Sequence, residues 1–183
     1  EQAGKEMVRY ADDFVVLCET KEDAEEVLSK LRQWVETAGL TLHPVKTRIV
    51  DADQKGGFDF LGWHFERGLK WPREKSLARF KETLREETPR NSGLSLEATI
   101  ERLNRRLRGW YRYFQGGVKN VYDRLDRWLR GRLRSLLRRR AGRKGRGRGL
   151  DHNHYSNEYF AKHRLISLYA SARGERSSPA VCG

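Results

Sequence analysis

Two adjacent carboxylates, Asp12 and Asp13, follow Tyr10-Ala11 and precede the apolar run Phe14-Val15-Val16-Leu17. Met7 to Tyr10 and Phe14 to Cys18 carry the β-branched and aromatic residues of strands, which puts the acids at a hairpin turn. Carboxylate oxygens paired in this way suit a hard divalent cation such as Mg²⁺. In two-metal phosphoryl transfer such ions activate the attacking hydroxyl and stabilise the leaving oxygen. An Asp-Asp pair also makes an ordinary solvated turn, so the context has to decide.

The elements around this pair must hold it in place. One hairpin is marginal in water, so these strands need partner strands, and the chain reads as if cut within a domain. Thr20 with Asp23 three positions on reads as a capping-box-like helix start. Ala24, Val27, Leu28, Leu31, Val35 and Ala38 then keep helical spacing up to Gly39. Leu40–Val50 alternates like a strand, interrupted by Pro44, and 58–65 reads as a second short hairpin. Strand signals end at Pro72. Helices are expected over 75–87, 95–114 and 118–140, the last two with stripes of leucine and aromatic residues. Gly142–Gly149, rich in Gly, Arg and Lys, reads as a flexible basic loop. Tyr155–Ala170 reads as a short helix or hairpin, and the tail as disordered. The expected fold class is α+β. Residues 1–71 form part of a mixed α/β domain, 72–170 form an all-α basic region, and 171–183 form the tail.

Charge separates the two halves. Residues 1–66 hold 8 Lys/Arg against 14 Asp/Glu, whereas residues 101–149 hold 18 against 3. An excess of fifteen positive charges over 49 residues points to a polyanion, most simply nucleic acid. The candidate contacts are Arg102, Arg105, Arg106, Arg108, Arg112, Arg124, Arg127, Arg130, Arg134, Arg138, Arg139 and Arg140. Guanidinium forks pair with phosphates, and interleaved rings such as Trp110, Tyr111, Tyr113, Tyr122 and Trp128 either stack on unpaired bases or form the helical core. Gly109 reads as a close helix contact, an N–H approach to phosphate, or a kink. No apolar run is long enough for a membrane-spanning helix. Cys18 and Cys182 lack metal-site spacing, which fits an intracellular compartment. His152 and His154 show no third ligand and read as a solvated loop.

Tyr10-Ala11-Asp12-Asp13 resembles the Y-x-D-D box of reverse transcriptases in the form typical of group II intron proteins. Further blocks follow in order. Gly39-Leu40-Thr41-Leu42-His43-Pro44-Val45-Lys46-Thr47 resembles the family's G-L-x-L-x-x-x-K-T block, and Phe60-Leu61-Gly62-Trp63 its primer-grip segment. Leu103-Asn104 through Leu107-Arg108-Gly109-Trp110 to Tyr113-Phe114 resembles the maturase signature, and Asn157-Glu158-Tyr159-Phe160 with Leu165–Leu168 its closing element. The chain is thus similar to the C-terminal part of a group II intron reverse transcriptase/maturase: the end of the palm, then thumb and maturase domain.

The resemblance implies the following roles. Asp12 is a catalytic Mg²⁺ ligand, with Asp13 a weaker contributor. Tyr10 and Ala11 lie near the primer end and incoming dNTP, while Phe60, Leu61 and Gly62 shape the primer grip. Lys46 either neutralises leaving pyrophosphate or is simply solvated. The partners are group II intron RNA and a template-primer duplex, in the bacterial or archaeal cytoplasm. Without the other metal-binding aspartate, these residues are not expected to polymerise by themselves; the alternative is a non-catalytic splicing helper with a relic acidic box. In the closing element Arg164 stands where the family often has glycine, and His154 or Tyr155 near its usual Trp-Pro. No Cys/His module follows, so cleavage of a DNA target is not expected.

Overall fold

The computed structural model describes residues 5–43, 46–89, 91–147 and 149–175. The chain divides into two compact units, 1–60 with 65–68 and 61–64 with 69–183. The class is α+β, with short strands first and helices after.

In the first unit, β1 (Glu6–Tyr10) and β2 (Asp13–Leu17) pair antiparallel, Glu6 opposite Leu17 and Tyr10 opposite Asp13. The two-residue turn puts Ala11 at φ 52°. That conformation costs a residue with a Cβ roughly 1–2 kcal/mol, so the surrounding ladder has to hold it. Helix α1 (Lys21–Thr37) begins as expected, with the Asp23 amide donating to Thr20 Oγ1 at 3.1 Å and the Thr20 hydroxyl to Asp23 Oδ2 at 3.0 Å. It ends at Gly39, φ 69°. The strand expected over 40–50 is absent from its described residues, which form coil and one turn. The chain leaves α1 through a helix-stop motif (Leu40 N–H to Val35 C=O, 2.9 Å) and turns again where the Thr47 amide reaches His43 C=O at 3.0 Å. Alternation alone does not make a strand where the backbone groups are used in turns. Pro44 and Val45 lie outside the described residues.

The expected short hairpin is extended by a third strand: β3 (Phe58–Phe60), β4 (Trp63–Glu66) and β5 (Leu69–Pro72), in that order. Both connections are two residues long with positive φ throughout: Leu61 47° and Gly62 82°, then Arg67 52° and Gly68 69°. This is the signature of the hairpin turn that matches strand twist.

In the second unit, α2 (Glu74–Glu86), α3 (Leu96–Phe114) and α4 (Lys119–Arg140) lie close to the expected spans. Their inner faces form one core in which Leu84, Leu103, Leu107, Leu133 and Tyr122 are fully buried. Each such side chain contributes roughly 1.5–3 kcal/mol on burial, so packing rather than helix propensity holds the arginine-rich α4. Most of the rings join this core. Trp110 stacks on Phe80 at 4.7 Å and tilts against Phe114 at 4.8 Å. Helix α3 runs through Gly109 as one element, and a side chain there would meet no atom within 4 Å, so no close helix contact explains that glycine.

Residues 155–170 form neither one helix nor a hairpin. They follow the short α5 (Leu150–His154) and contribute α6 (Asn157–Lys162) and the first part of α7 (Leu168–Ala172) with their connections. The basic loop before them is tied down: Arg138 Nε donates to Lys144 C=O at 2.9 Å, and the Gly147 amide to Ser135 Oγ at 3.3 Å. Ser171 and Ala172, placed in the tail from sequence, belong to α7; residues 176–183, with Cys182, lie outside the described residues.

Four helices end in the same motif. After α1, α4, α6 and α7 the first residue beyond the cap has positive φ and bonds three residues back, while the next bonds five back. That residue is Gly39, Gly142 and Gly174 in three of them and Arg164, φ 64°, in α6. A glycine at this place avoids the Cβ penalty. Arg164→Gly is therefore expected to raise unfolding stability by about 1 kcal/mol; a lower melting temperature would contradict this account.

Candidate nucleic-acid interface

In the first unit the turn residues Tyr10, Ala11, Asp12 and Asp13 are all exposed, Tyr10 at 66%. Arg9 Nε donates to Ala11 C=O at 2.9 Å and braces the turn from one side. Asp12 and Asp13 are neighbours in sequence and space. Among the described residues, however, no group of three His, Cys, Asp or Glu side chains could hold a metal ion. Two carboxylates supply hard oxygen donors of the right chemistry but fewer than a two-metal centre requires. Lys46 is exposed beside its turn, and Phe60 is half-buried in β3.

Leu61 and Gly62 belong to the helical unit and are held tightly in it. Gly62 C=O accepts from the Arg73 amide at 2.9 Å and from Ser76 Oγ at 3.0 Å, and Leu61 C=O accepts from Tyr113 Oη at 2.7 Å. A Cβ on Gly62 would lie 3.2 Å from Ser76 Oγ and 3.6 Å from the Phe114 ring. The turn is thus built for a glycine by close packing as well as by φ.

The arginines divide by what their helices face. Arg102, Arg105, Arg106, Arg108 and Arg112 are all exposed on α3, opposite its buried leucines, as are Arg124, Arg127, Arg139 and Arg140 on α4. Arg106 also reaches Glu87 at 2.8 Å and Arg127 reaches Asp123 at 2.6 Å. Exposed pairs of this kind are worth little and leave the cations open to exchange partners. Two of the candidate contacts, Arg134 and Arg138, and their neighbour Arg132 are instead engaged within the protein. Arg134 is buried, donating to Tyr155 C=O at 2.8 Å and Asn157 Oδ1 at 3.0 Å. Arg138 pairs with buried Asp151 at 2.7 Å, and Arg132 reaches the Thr88 and Arg85 carbonyls at 2.8 and 3.1 Å. Arg130 is half-buried.

The rings offer few free faces. Lys81 and Arg85 lie over Trp128, 5.7 and 5.4 Å from its centroid, and exposed Tyr113 spends its hydroxyl on Leu61. His152 and His154 are exposed, with no metal cluster around them among the described residues.

Two residues of the interface's supporting frame escape a sequence reading. Asn104 of α3 donates to Arg164 C=O at 2.8 Å and accepts from the Ile166 amide at 3.0 Å. Asp126 of α4 accepts from Ser167 Oγ at 2.7 Å and from the Leu168 and Tyr169 amides at 3.1 Å, capping α7 from another helix. A signal was present: each polar residue falls on its helix's apolar stripe, Asn104 beside Leu103 and Leu107, Asp126 beside Tyr122 and Leu129.

One unit carries an exposed acidic hairpin turn, and the helices of the other carry exposed arginine rows. Residues 1–65 match the reverse transcriptase (RNA-dependent DNA polymerase) family, and residues 77–155 match the group II intron, maturase-specific domain. The chain belongs to the group II intron reverse transcriptase/maturase family. A comparison with curated proteins finds no match. No described helix is long and apolar enough to cross a membrane.

Proposed function

We propose that this chain binds structured group II intron RNA through the exposed arginine rows of α3 and α4, as the RNA-holding part of a reverse transcriptase/maturase. The observation that carries the reading is the two-faced build of those helices: leucines buried on one side, and on the other Arg102, Arg105, Arg108, Arg112, Arg124, Arg139 and Arg140 exposed. Such rows suit the phosphates of a folded RNA, which a protein grips by shape and backbone. The maturase role is then to stabilise folded RNA that performs its own splicing. In the polymerase role, Asp12 and Asp13 supply carboxylate oxygens for Mg²⁺, Tyr10 and Ala11 lie by the primer end and dNTP, and Phe60, Leu61 and Gly62 grip the primer of the template-primer duplex. Lys46 stands by the leaving pyrophosphate. The working compartment is the cytoplasm, where the intron transcript is made. Domains 1–71 and 72–170 divide the polymerase and RNA-holding roles.

A salt titration tests the first part. Binding to a structured intron RNA should exceed binding to duplex DNA at physiological salt. It should also fall by roughly a thousandfold or more between about 50 and 200 mM salt if six or more phosphates are contacted. Equal binding to both nucleic acids would reduce the reading to a basic surface.

The second reading, a splicing helper without polymerase activity in these residues, is favoured by the lack of a third metal-binding side chain beside Asp12 and Asp13 among the described residues. It expects no Mg²⁺-dependent dNTP incorporation by the 183-residue chain on a primed RNA template. Incorporation that Asp12→Asn abolishes would refute it.

A further inference from the structure

On α4, Arg127, Arg130 and Arg134 recur at helical spacing and, with Gly131, His152 and Asn157, line a pocket of about 350 Å³. At about 30 Å³ per water molecule this is room for on the order of ten waters, enough for a phosphate and an attached sugar.

Two observations give it a charge preference, and a third concerns its open space. Arg134 is only 6% exposed and donates to neutral acceptors, Tyr155 C=O and Asn157 Oδ1. Among the described residues no carboxylate lies within ion-pair distance of Arg134 or of Arg130. A buried cation without a counter-charge is unfavourable, and an anion relieves it. Burial, with the Arg130 charge second, pushes the Arg134 pKa down from the ordinary arginine value.

The neighbouring acids are already engaged. Asp123 holds Arg127, Asp126 caps α7 and feels the Arg130 charge from beyond ion-pair distance, and Asp151 holds Arg138 and Arg143.

Gly131 is the third observation. Glycine is unfavourable inside a helix, and a Cβ at Gly131 would meet no atom within 4 Å, so packing does not require it. It lies on the wall of the pocket, where lacking a side chain keeps the space open.

We propose that this pocket is a phosphate site that takes one backbone phosphodiester of bound RNA, held by the forks of Arg127 and Arg130 above buried Arg134. Forks of this geometry match phosphate oxygens in pairs. The assignment of the phosphate to RNA rests on the RNA-binding reading above; the anion chemistry of the pocket does not. A free phosphate would satisfy the same groups, and the experiment separates the two sources.

The test uses Gly131→Met, which fills the pocket while leaving every charge in place, with Arg108→Gln on the outer row of α3 as a comparison. Gly131→Met should melt no lower than the unaltered chain, since its Cβ would meet no atom within 4 Å and methionine favours a helix over glycine. It should weaken RNA binding by about tenfold and flatten the slope of log K against log salt by about one phosphate's worth, roughly 0.7–0.9. In parallel, inorganic phosphate is titrated while the ring resonances of His152 are followed by NMR. A saturable shift that Gly131→Met removes supports the site. Loss of RNA affinity alone assigns the phosphate to RNA. The phosphate shift alone, with no RNA binding by either protein, keeps the site and refutes the RNA reading. Unchanged RNA binding by Gly131→Met together with no saturable His152 shift overturns the proposal.

Discussion

Replacing Asp126 with alanine will lower unfolding stability by roughly 3 kcal/mol, at least 6 °C in melting temperature for a chain of this size. The carboxylate is 4% exposed and receives three donors from Ser167, Leu168 and Tyr169. Each buried donor left without an acceptor costs about 1–3 kcal/mol. Only the Ser167 hydroxyl can rotate elsewhere, so the two amides at the start of α7 carry most of the loss. Leu168, fully buried in the core, is tethered by one of them. Chemical denaturation of the two proteins checks the figure; a difference below about 1 kcal/mol would show that α7 is held by its apolar contacts alone.

The same residue gives a pH dependence. Burial is the largest influence on Asp126 and raises its carboxyl above the ordinary aspartate value, against the opposing hydrogen bonds from Ser167, Tyr169 and Leu168. A carboxyl with a raised pKa in the folded chain contributes stability that is full below its unfolded pKa and is lost as pH rises through the folded one. Asp126→Asn has no such titration. Its stability relative to the parent should therefore improve as pH rises from about 4 upward, the ordinary aspartate range.

Asn104→Ala is expected to cost about 2 kcal/mol by the same reasoning, since it strands Arg164 C=O and the Ile166 amide. Asn104→Asp keeps the acceptor but loses the donor toward the Arg164 carbonyl, so it should not restore stability. Both side chains grip residues 164–169, one from α3 and one from α4. Releasing the segment at one end weakens what the other end gains. The double variant Asn104→Ala, Asp126→Ala should lose less than the two single losses together, and strict additivity would mean that the two ties act independently.

These two residues show where the sequence stops being legible. Tyr10-Ala11-Asp12-Asp13 between apolar strands was readable as a hairpin because strand alternation and turn are local. The start at Thr20, the stop at Gly39 and the spans of α2 to α4 were readable for the same reason, from caps and a 3.6-residue period. The strand Leu69–Pro72 is not legible because a four-residue run ending in proline is too short to establish a period. The strand expected over 40–50 failed because backbone groups of its described residues are used in turns, at Leu40 and Thr47. Asn104 and Asp126 act on groups 60 and 41 residues away, and no local pattern names such a partner.

Arginine divides the same way. The sequence by itself determined the helices, their apolar faces, the excess of positive charge and the family blocks, because each is set by neighbours within a few turns of chain. Only the tertiary structure decided that Arg102 and Arg108 face solvent, that Arg138 is spent on Asp151, and that Arg134 is buried against α6 with no carboxylate beside it among the described residues. A helical period fixes which residues share a face; what that face meets depends on where the rest of the chain returns, and in a core the approach of a carbonyl or a carboxylate settles whether a cation is free for RNA.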